Sequence, residues 1–131
     1  MAEQIAFDLV SPERLLLSTE ADMVTVPGAE GYMGVMAGHM PLVSTLRTGM
    51  VVVLKDGKDS RYFIRGGFAE VTDTKLTVLA DEAIPMSEIA LETLDQRIGD
   101  AEEDLAAATT DAERRKASES LEDLRLMRAA F

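Results

Sequence analysis

The chain has 131 residues with a formal net charge of −11, one histidine and no cysteine. This length allows one compact domain with a small appendage, and the missing cysteines exclude disulfides, thiolate nucleophiles and thiolate metal sites. So acidic a chain, without a basic cluster, would be repelled by nucleic acid and by anionic lipid headgroups. We therefore expect neither nucleic-acid binding nor direct membrane insertion.

The first two thirds of the chain are predicted to form short β-strands. The segments Ile5 to Leu9 and Val24 to Val26 carry apolar residues at every second position, which is the period of a half-buried strand. A strand end is expected at Pro27-Gly28, and Asp56-Gly57 between two apolar runs predicts a tight hairpin with positive φ angles. Many short strands with frequent turns are typical of a sandwich or barrel.

After Pro85 the sequence changes to the period of a helix. Ser87 is expected to cap a first helix, and Thr110 followed by Glu113 fits a capping box at the start of a second. The linker, residues 106–110, is short enough to make the two helices antiparallel. Each helix carries one apolar stripe, and the members are Leu91, Leu94, Ile98, Ala101 and Leu105 in the first, then Ala117, Leu121, Leu124 and Met127 or Phe131 in the second.

Composition changes along the chain in the same way. Residues 1–80 carry 7 basic and 10 acidic side chains, whereas residues 81–131 carry 6 and 14. Gly99 lies within the predicted first helix, where a glycine costs roughly 1 kcal/mol relative to alanine. We therefore divide the chain into a β domain at 1–84 and a helical hairpin at 85–131, and expect the hairpin to be the less stable part.

The segment 24–43 is the most distinctive stretch of the sequence. Gly28, Gly31 and Gly34 lie three apart, but neither the lysine and hydroxyl residue of a phosphate loop nor the helix of a dinucleotide site follows them. Turns and a bulge between strands are the favoured interpretation. His39 has no second histidine or cysteine to act with, so a structural or interface histidine is favoured over a catalytic or metal-binding one.

Other groups of residues predict structure rather than chemistry. Four of the eight methionines lie close to the glycine segment, and core packing is favoured over a protein-binding surface for them. The acids at 100–104 lack the spacing of a calcium loop and are expected to form a solvated helix face. No group predicts catalysis or a cofactor. The four methionines are Met33, Met36, Met40 and Met50.

Four segments carry a family resemblance: FDLVSPERLLLS (Phe7–Ser18), VPGAEGYMGVMAGHMPL (Val26–Leu42), RGGFAEV (Arg65–Val71) and VLADEA (Val78–Ala83). With the helical hairpin, they resemble the epsilon subunit of bacterial F-type ATP synthase over essentially the whole chain. The resemblance implies a mainly β fold with α, a flattened ten-stranded β-sandwich followed by an antiparallel two-helix hairpin. It also implies a non-catalytic rotor subunit of the central stalk, peripheral at the cytoplasmic face of the inner membrane, that couples proton translocation to ATP synthesis.

The resemblance further implies which residues meet which partner. The turn at Glu30, Gly31 and Tyr32 would lie towards the polar loops of the c-ring, and His39 and Met40 would lie towards the gamma subunit. The family's C-terminal helices can extend along gamma and block rotation, which makes the alpha and beta subunits further partners. No obligate homo-oligomer is expected.

A nucleotide-binding motif of some family members is not matched in this chain. Their Ile/Leu-Asp-x-x-Arg-Ala motif corresponds to the segment Ile89 to Leu94, in which Ala90 replaces the aspartate and Thr93 the arginine. We therefore expect no bound ATP. Because the hairpin is strongly acidic and a brake would meet acidic patches on the catalytic subunits, we also expect weak or no inhibition of ATP hydrolysis.

Two other classes of function remain open alternatives. One is an ATP-sensing regulatory module that holds a nucleotide between the β domain and the hairpin. The other is an enzyme, such as an isomerase or a hydrolase, that uses His39 together with Glu30 and needs a concave polar pocket around the histidine.

Overall fold

The structure, a computed structural model, describes residues 3–131. Contacts between residues divide the chain into two compact units, one reaching to Pro85 and the other covering Met86–Phe131. Within the described range, no helix is both long and apolar enough to cross a membrane. The elements are β1 (Ile5–Val10), β2 (Leu15–Ala21), β3 (Met23–Gly28), β4 (Gly31–Val35), β5 (Leu42–Leu46), β6 (Gly49–Lys55), β7 (Lys58–Ile64), β8 (Gly67–Val71), β9 (Lys75–Ala80), β10 (Ala83–Pro85), a 3₁₀ helix (Met86–Glu88), α1 (Leu91–Ala107) and α2 (Asp111–Ala129).

The ten strands form one continuous curled sheet. Neighbouring strands follow the order β10-β7-β6-β3-β5-β8-β9-β1-β2, and β4 pairs with β3. Every pairing is antiparallel except that of β1 with β9. Only the pair Gly28 and Leu46 joins β3 to β5, so the sheet passes there from one layer to the other. The predicted sandwich followed by two helices is confirmed.

The core of the first unit is the apolar space between the inward faces of the strands. Ile5, Phe7 and Leu9 are fully buried and alternate with half-buried residues, which confirms the predicted period of two. Val24 and Val26 are buried in the same way. Among the described residues, no polar or charged residue is buried. Each large apolar side chain placed here contributes about 1.5–3 kcal/mol of burial free energy.

The strand end expected at Pro27-Gly28 is confirmed, because β3 ends at Gly28. Pro27 pairs with Tyr32 of β4, and its carbonyl accepts a hydrogen bond of 2.9 Å from the Arg47 amide. Proline has no N–H to donate. At this point β3 has left β6 and has not yet reached β5, so the missing donor leaves no ladder hydrogen bond unmade.

The hairpin predicted at Asp56-Gly57 is confirmed. The two residues join β6 to β7 directly after the pair Lys55 and Lys58. Their φ angles are 51° and 77°, which are the positive values that a two-residue turn of this kind requires.

The second unit is an antiparallel pair of helices. Arg128 near the end of α2 pairs with Asp95 near the start of α1, with 2.8 Å between Nε and Oδ1. The predicted cap at Ser87 is wrong: Met86–Glu88 forms a 3₁₀ turn, and α1 begins at Leu91 without a side-chain cap. The chain makes this separate turn because the Ile89 amide bonds back to the Met86 carbonyl at 3.2 Å.

The start of α2 follows the predicted capping box with one displacement. The Thr110 hydroxyl accepts a hydrogen bond of 3.1 Å from the Glu113 amide. The Glu113 carboxylate accepts from the amide of Thr109 rather than from that of Thr110. The connection is residues 108–110, shorter than predicted, because α1 continues through Ala107.

The facing stripes of the hairpin are smaller than the sequence suggested. Ile98, Leu105 and Leu124 are only half-buried, and Leu91 and Phe131 are exposed. Alanine therefore supplies much of the contact between the helices. The buried stripe residues are Leu94, Ala101, Ala117, Leu121 and Met127.

Candidate partner-binding surfaces

The predicted ring-facing residues lie at the turn between β3 and β4. Glu30 is exposed at the tip of this two-residue turn, between Gly28 and Gly31. A Cβ atom on Gly28 would lie 2.8 Å from the Gly31 carbonyl oxygen, so glycine is required for the strands to close this tightly. The turn holds the Glu30 carboxylate in solvent at one end of the sheet.

Tyr32 has a structural hydrogen bond as well as an exposed ring. Its hydroxyl accepts a hydrogen bond of 3.1 Å from the Met50 amide. A Cβ atom on Gly49 would come within 2.7 Å of the same hydroxyl, so glycine leaves the space that the phenol occupies. The bond satisfies an amide of β6 at a point where that strand is not paired with β3, whose pairing with β6 reaches only Val52.

His39 and Met40 lie in the loop between β4 and β5. The His39 ring donates from Nδ1 to the Met40 carbonyl at 2.8 Å, and its amide donates to the Met36 carbonyl at 3.1 Å. The Gly38 amide donates to the Asp73 carbonyl at 2.7 Å, which ties the loop to the turn between β8 and β9. The histidine is therefore hydrogen-bonded to backbone, as the structural interpretation predicts.

Exposed apolar side chains lie on both sides of this histidine in the sequence. Met40 is 79% exposed, Val43 70% and Met36 55%, and Leu42 is exposed as well. We call these four residues the loop patch. The expectation that the nearby methionines fill the core is wrong for Met36 and Met40, because their loop leaves the sheet, and it holds for Met50, which is buried.

A second exposed apolar surface crosses the outer face of the layer β5-β8-β9-β1-β2. Phe68 pairs with Leu79, Leu79 with Val10, and Val10 with Leu15 across successive strands. We call these four residues the outer row. Phe68, Leu79 and Leu15 are each about half exposed. A shallow depression of about 380 Å³ lies here, lined by Val10, Ser11, Pro12, Phe68, Leu79, Ala80 and Asp81.

None of the sequence motifs above predicted the outer row. The signal was present in β8, where Ala69 and Val71 alternate with Phe68 and Glu70. Since alternate residues face opposite sides of a sheet, burial of Ala69 and Val71 places Phe68 and Glu70 together on the outer face. An aromatic residue at an outward position indicates a contact surface.

Carboxylates border the outer row. Asp81 lines the depression, and it lines a neighbouring one together with Glu13 and Glu82. On the same outer face Asp8 meets the Lys75 ammonium at 3.0 Å and accepts a hydrogen bond of 2.7 Å from Ser18. The Ser18 hydrogen bond, followed by Lys75, lowers the pKa of the Asp8 carboxyl. Two of these carboxylates are paired within the chain, Asp8 with Lys75 and Glu82 with Arg65 at 2.9 Å.

Glu30 and His39 are not brought together. They lie beyond opposite ends of β4, a five-residue strand whose length is about 15 Å at a rise of about 3.3 Å per residue. The strand pairs agree, since Gly28 beside the turn meets Leu46 at one end of β5, whereas the His39 loop enters β5 at Leu42. This separation does not support an acid–base pair of His39 with Glu30.

Comparisons with known proteins decide the family. The model of the family "ATP synthase, Delta/Epsilon chain, beta-sandwich domain" matches residues 4–86. An ATP synthase epsilon chain of Parvibaculum lavamentivorans is 50% identical over 129 residues, which cover 98% of this chain and 98% of the relative. The chain belongs to the ATP synthase epsilon chain family.

Other members of the family and solved structures agree. The epsilon chain of Mesorhizobium japonicum is 42% identical over 132 residues, covering 100% of this chain and 98% of that relative. A chain in the cryo-EM structure of Euglena gracilis mitochondrial ATP synthase, OSCP/F1/c-ring, matches with a TM-score of 0.84 and 32% identity, covering 97% of this chain and 81% of that chain. A chain in the Tetrahymena thermophila mitochondrial ATP synthase central stalk/c-ring matches with a TM-score of 0.66 and 13% identity, covering 98% and 96%, which supports the fold alone.

A cavity lies between the helices of the hairpin in this epsilon-chain family member. The cavity has a volume of about 370 Å³, and its charged lining is Asp104, Glu113 and Lys116. Two carboxylates against one ammonium disfavour a triphosphate, because like charges repel strongly at short range. Within residues 3–131, no group of three or more His, Asp or Glu side chains could hold a metal ion.

Proposed function

We propose that this chain is a non-catalytic rotor subunit in the central stalk of an F-type ATP synthase, where it couples proton translocation through the c-ring to ATP synthesis by binding the gamma subunit and the ring. We further propose that residues 1–84 carry these contacts and that residues 85–131 are an appendage. Family membership supports the complex. The exposed apolar surfaces of the sheet support the mechanism, since a rotor subunit transmits torque through buried contacts with its neighbours.

The gamma subunit is proposed to dock on the loop patch, next to His39, and on the outer row. Val43 connects the two surfaces, because it pairs with Glu70 on the outer side of β5 and β8, where Phe68 also lies. Four exposed apolar side chains within eight residues of sequence are unusual for a surface that faces only water. This concentration of exposed apolar side chains is the observation that carries the proposal.

The c-ring is proposed to meet the turn at Glu30, Gly31 and Tyr32. This turn lies at the far end of β4 from His39, so one short strand connects the two proposed contacts. The hydrogen bond from the Met50 amide to the Tyr32 hydroxyl fixes to β6 the side of the turn that would face the c-ring. A force applied at the turn would therefore reach the gamma contact through paired strands rather than through a flexible loop.

We propose a peripheral position at the cytoplasmic face of the inner membrane. The net charge of −11 opposes binding to anionic lipid, so protein contacts would hold the chain there. We also propose that the hairpin inhibits ATP hydrolysis weakly or not at all, although the alpha and beta subunits are within the reach implied for the family's helices. An assembled enzyme whose ATP hydrolysis rises many-fold after deletion of residues 87–131 would contradict this.

The gamma contact is tested by measuring the affinity of the full-length chain for purified gamma subunit. The double variant V43D/F68D places two carboxylates on the proposed surface, and it is expected to weaken binding at least about tenfold. The matched control is L126D, which alters an exposed leucine of α2. Equal affinities of V43D/F68D and wild type would overturn the docking surface, and no binding by wild type would overturn the proposed function.

The ring contact is tested by reconstituting the synthase with the Glu30→Lys variant. Because Glu30 lies at the opposite end of β4 from His39, gamma affinity should stay unchanged while the ATP yield per transported proton falls. Val43→Asp should instead lower the gamma affinity, because Val43 lies on the surface proposed to bind gamma. A Glu30→Lys enzyme with normal coupling would contradict the proposed contact between this turn and the c-ring.

A further inference from the structure

Two methionines of the β4–β5 loop are far more exposed than the other described methionines. Met40 is 79% exposed and Met36 is 55% exposed. Met23 and Met33 are half-buried, and Met33 packs against the core. The remaining described methionines are at most 9% exposed, and they are Met50, Met86 and Met127. Exposure of the thioether largely determines which methionine an oxidant reaches first.

The exposed pair lies on a loop whose backbone is fixed. The His39 amide and ring bond to the carbonyls of Met36 and Met40, and the Gly38 amide bonds to the Asp73 carbonyl. These bonds involve backbone carbonyls and leave both thioethers free to react. Oxidation of the sulfur atoms would therefore change the chemistry of the loop patch without removing a contact that holds the fold.

The chemistry is a two-electron oxidation by a peroxide. A lone pair of the thioether sulfur attacks one peroxide oxygen, an S–O bond forms and the O–O bond breaks. The leaving hydroxide takes up the proton of the newly formed S–OH group and becomes water. The sulfur is thereby oxidised and the peroxide is reduced. The product, methionine sulfoxide, is polar, and thiol-dependent methionine sulfoxide reductases return it to the thioether.

We propose that Met36 and Met40 form a reversible oxidation site at which peroxide weakens the docking of the gamma subunit. This inference rests on the proposed function, because the loop patch is the surface that gamma is proposed to cover. Methionine supplies two of the four apolar side chains of that patch. Converting both to sulfoxides places two strongly polar S=O groups where a partner would bury apolar surface, and each would need a hydrogen bond that a dry interface does not offer.

The first experiment maps the order of oxidation in the full-length chain. The protein is treated with increasing hydrogen peroxide, and each methionine is followed by mass spectrometry of its peptide. Met36 and Met40 are expected to oxidise before Met23 and Met33, and well before the buried Met50. Oxidation of a buried methionine at the same rate as Met40 would overturn the site.

The second experiment measures gamma affinity before oxidation, after selective oxidation and after reductase treatment. Oxidation is expected to weaken binding at least about fivefold, and reductase to restore it. The M36L/M40L variant keeps apolar side chains of similar volume but cannot form sulfoxides, so its affinity after peroxide should equal its own affinity before peroxide. M23L is the matched control, because it removes a methionine outside the loop patch and should lose affinity on oxidation as the wild type does.

The outcomes separate this inference from the proposed function. If the unoxidised protein binds gamma and complete oxidation of Met36 and Met40 leaves that affinity unchanged, the inference alone is overturned. If the unoxidised protein does not bind gamma, the proposed function fails and the effect on docking fails with it. An M36L/M40L variant that remains as peroxide-sensitive as the wild type would assign the effect to another residue and overturn the site.

Discussion

The sandwich and the hairpin are stabilised in different ways. The sandwich buries large side chains such as Phe7, Ile64 and Leu76 completely between its strands. The hairpin buries few residues, of which Ala101 and Ala117 offer only a methyl group each, and its ion pairs are largely solvent-exposed. Exposed ion pairs are worth at most about 1 kcal/mol. We therefore predict that the sandwich is the more stable unit and the hairpin the less stable one.

The largest expected effect is the loss of a core side chain from the sandwich. Phe7→Ala removes a fully buried ring and should lower the free energy of unfolding by about 3–5 kcal/mol. Urea denaturation followed by circular dichroism measures this. The matched control is Phe68→Ala on the outer row, which should cost much less because that ring is half exposed. Similar losses for both variants would mean that the inner and outer faces of the sheet contribute equally to stability.

Glycine to alanine substitutions should have opposite signs in the two units. At Gly28 a Cβ atom would lie 2.8 Å from the Gly31 carbonyl oxygen, so overpacking should cost about 1–3 kcal/mol. At Gly99 of α1 a Cβ atom would meet nothing within 4 Å, so helix propensity should add about 1 kcal/mol to the hairpin. Hydrogen exchange resolved by residue separates the two effects. Destabilisation of α1 by Gly99→Ala would contradict the predicted difference in sign between the two units.

Loss of the α2 cap should affect the hairpin and leave the sandwich unchanged. Thr110→Ala removes the hydroxyl that accepts from the Glu113 amide and should cost about 1 kcal/mol locally. Faster hydrogen exchange in the first turn of α2 is the expected result. Thr110→Ser keeps the acceptor and serves as the control. Equal exchange rates for both variants would show that the hydroxyl does not stabilise the first turn of α2.

The smallest effect concerns the pH dependence of the sandwich. The pKa of Asp8 is lowered by the Ser18 hydrogen bond and by Lys75. A lowered pKa in the folded state contributes stability that is present above the unfolded pKa and is lost as the pH falls through the folded value. Asp8→Asn should therefore lower stability at pH 7 slightly and reduce its acid dependence. Identical denaturation curves for variant and wild type from pH 3 to 7 would contradict this.

The sequence predicted those elements whose signals are local. Alternation in β1, the Asp56-Gly57 turn and the Thr110 cap each depend on a few neighbouring residues, and all three are confirmed. The strand end at Pro27-Gly28 is likewise confirmed. The point at which β3 changes partner from β6 to β5 has a non-local cause, and the local sequence does not contain this information.

The candidate surfaces were predictable only in part. The resemblance named Glu30, Tyr32, His39 and Met40, whose contacts with partners stay predictions. The exposure of the loop patch and the cross-strand neighbours in the outer row depend on which layer each strand joins. Phe68 and Leu79 are adjacent only because β8 and β9 pair in that register, so the tertiary fold creates this surface.

The parallel pairing of β1 with β9 sets a condition on how the chain is made. Phe7 and Leu9 sit opposite Leu76 and Val78, so a nascent chain exposes its first apolar strand edge until residues 75–80 have left the ribosome. The hairpin with β2 covers only one edge in the meantime. Until then the growing chain is at risk of pairing with another nascent copy, and any fragment that ends before Ala80 would keep that open edge permanently.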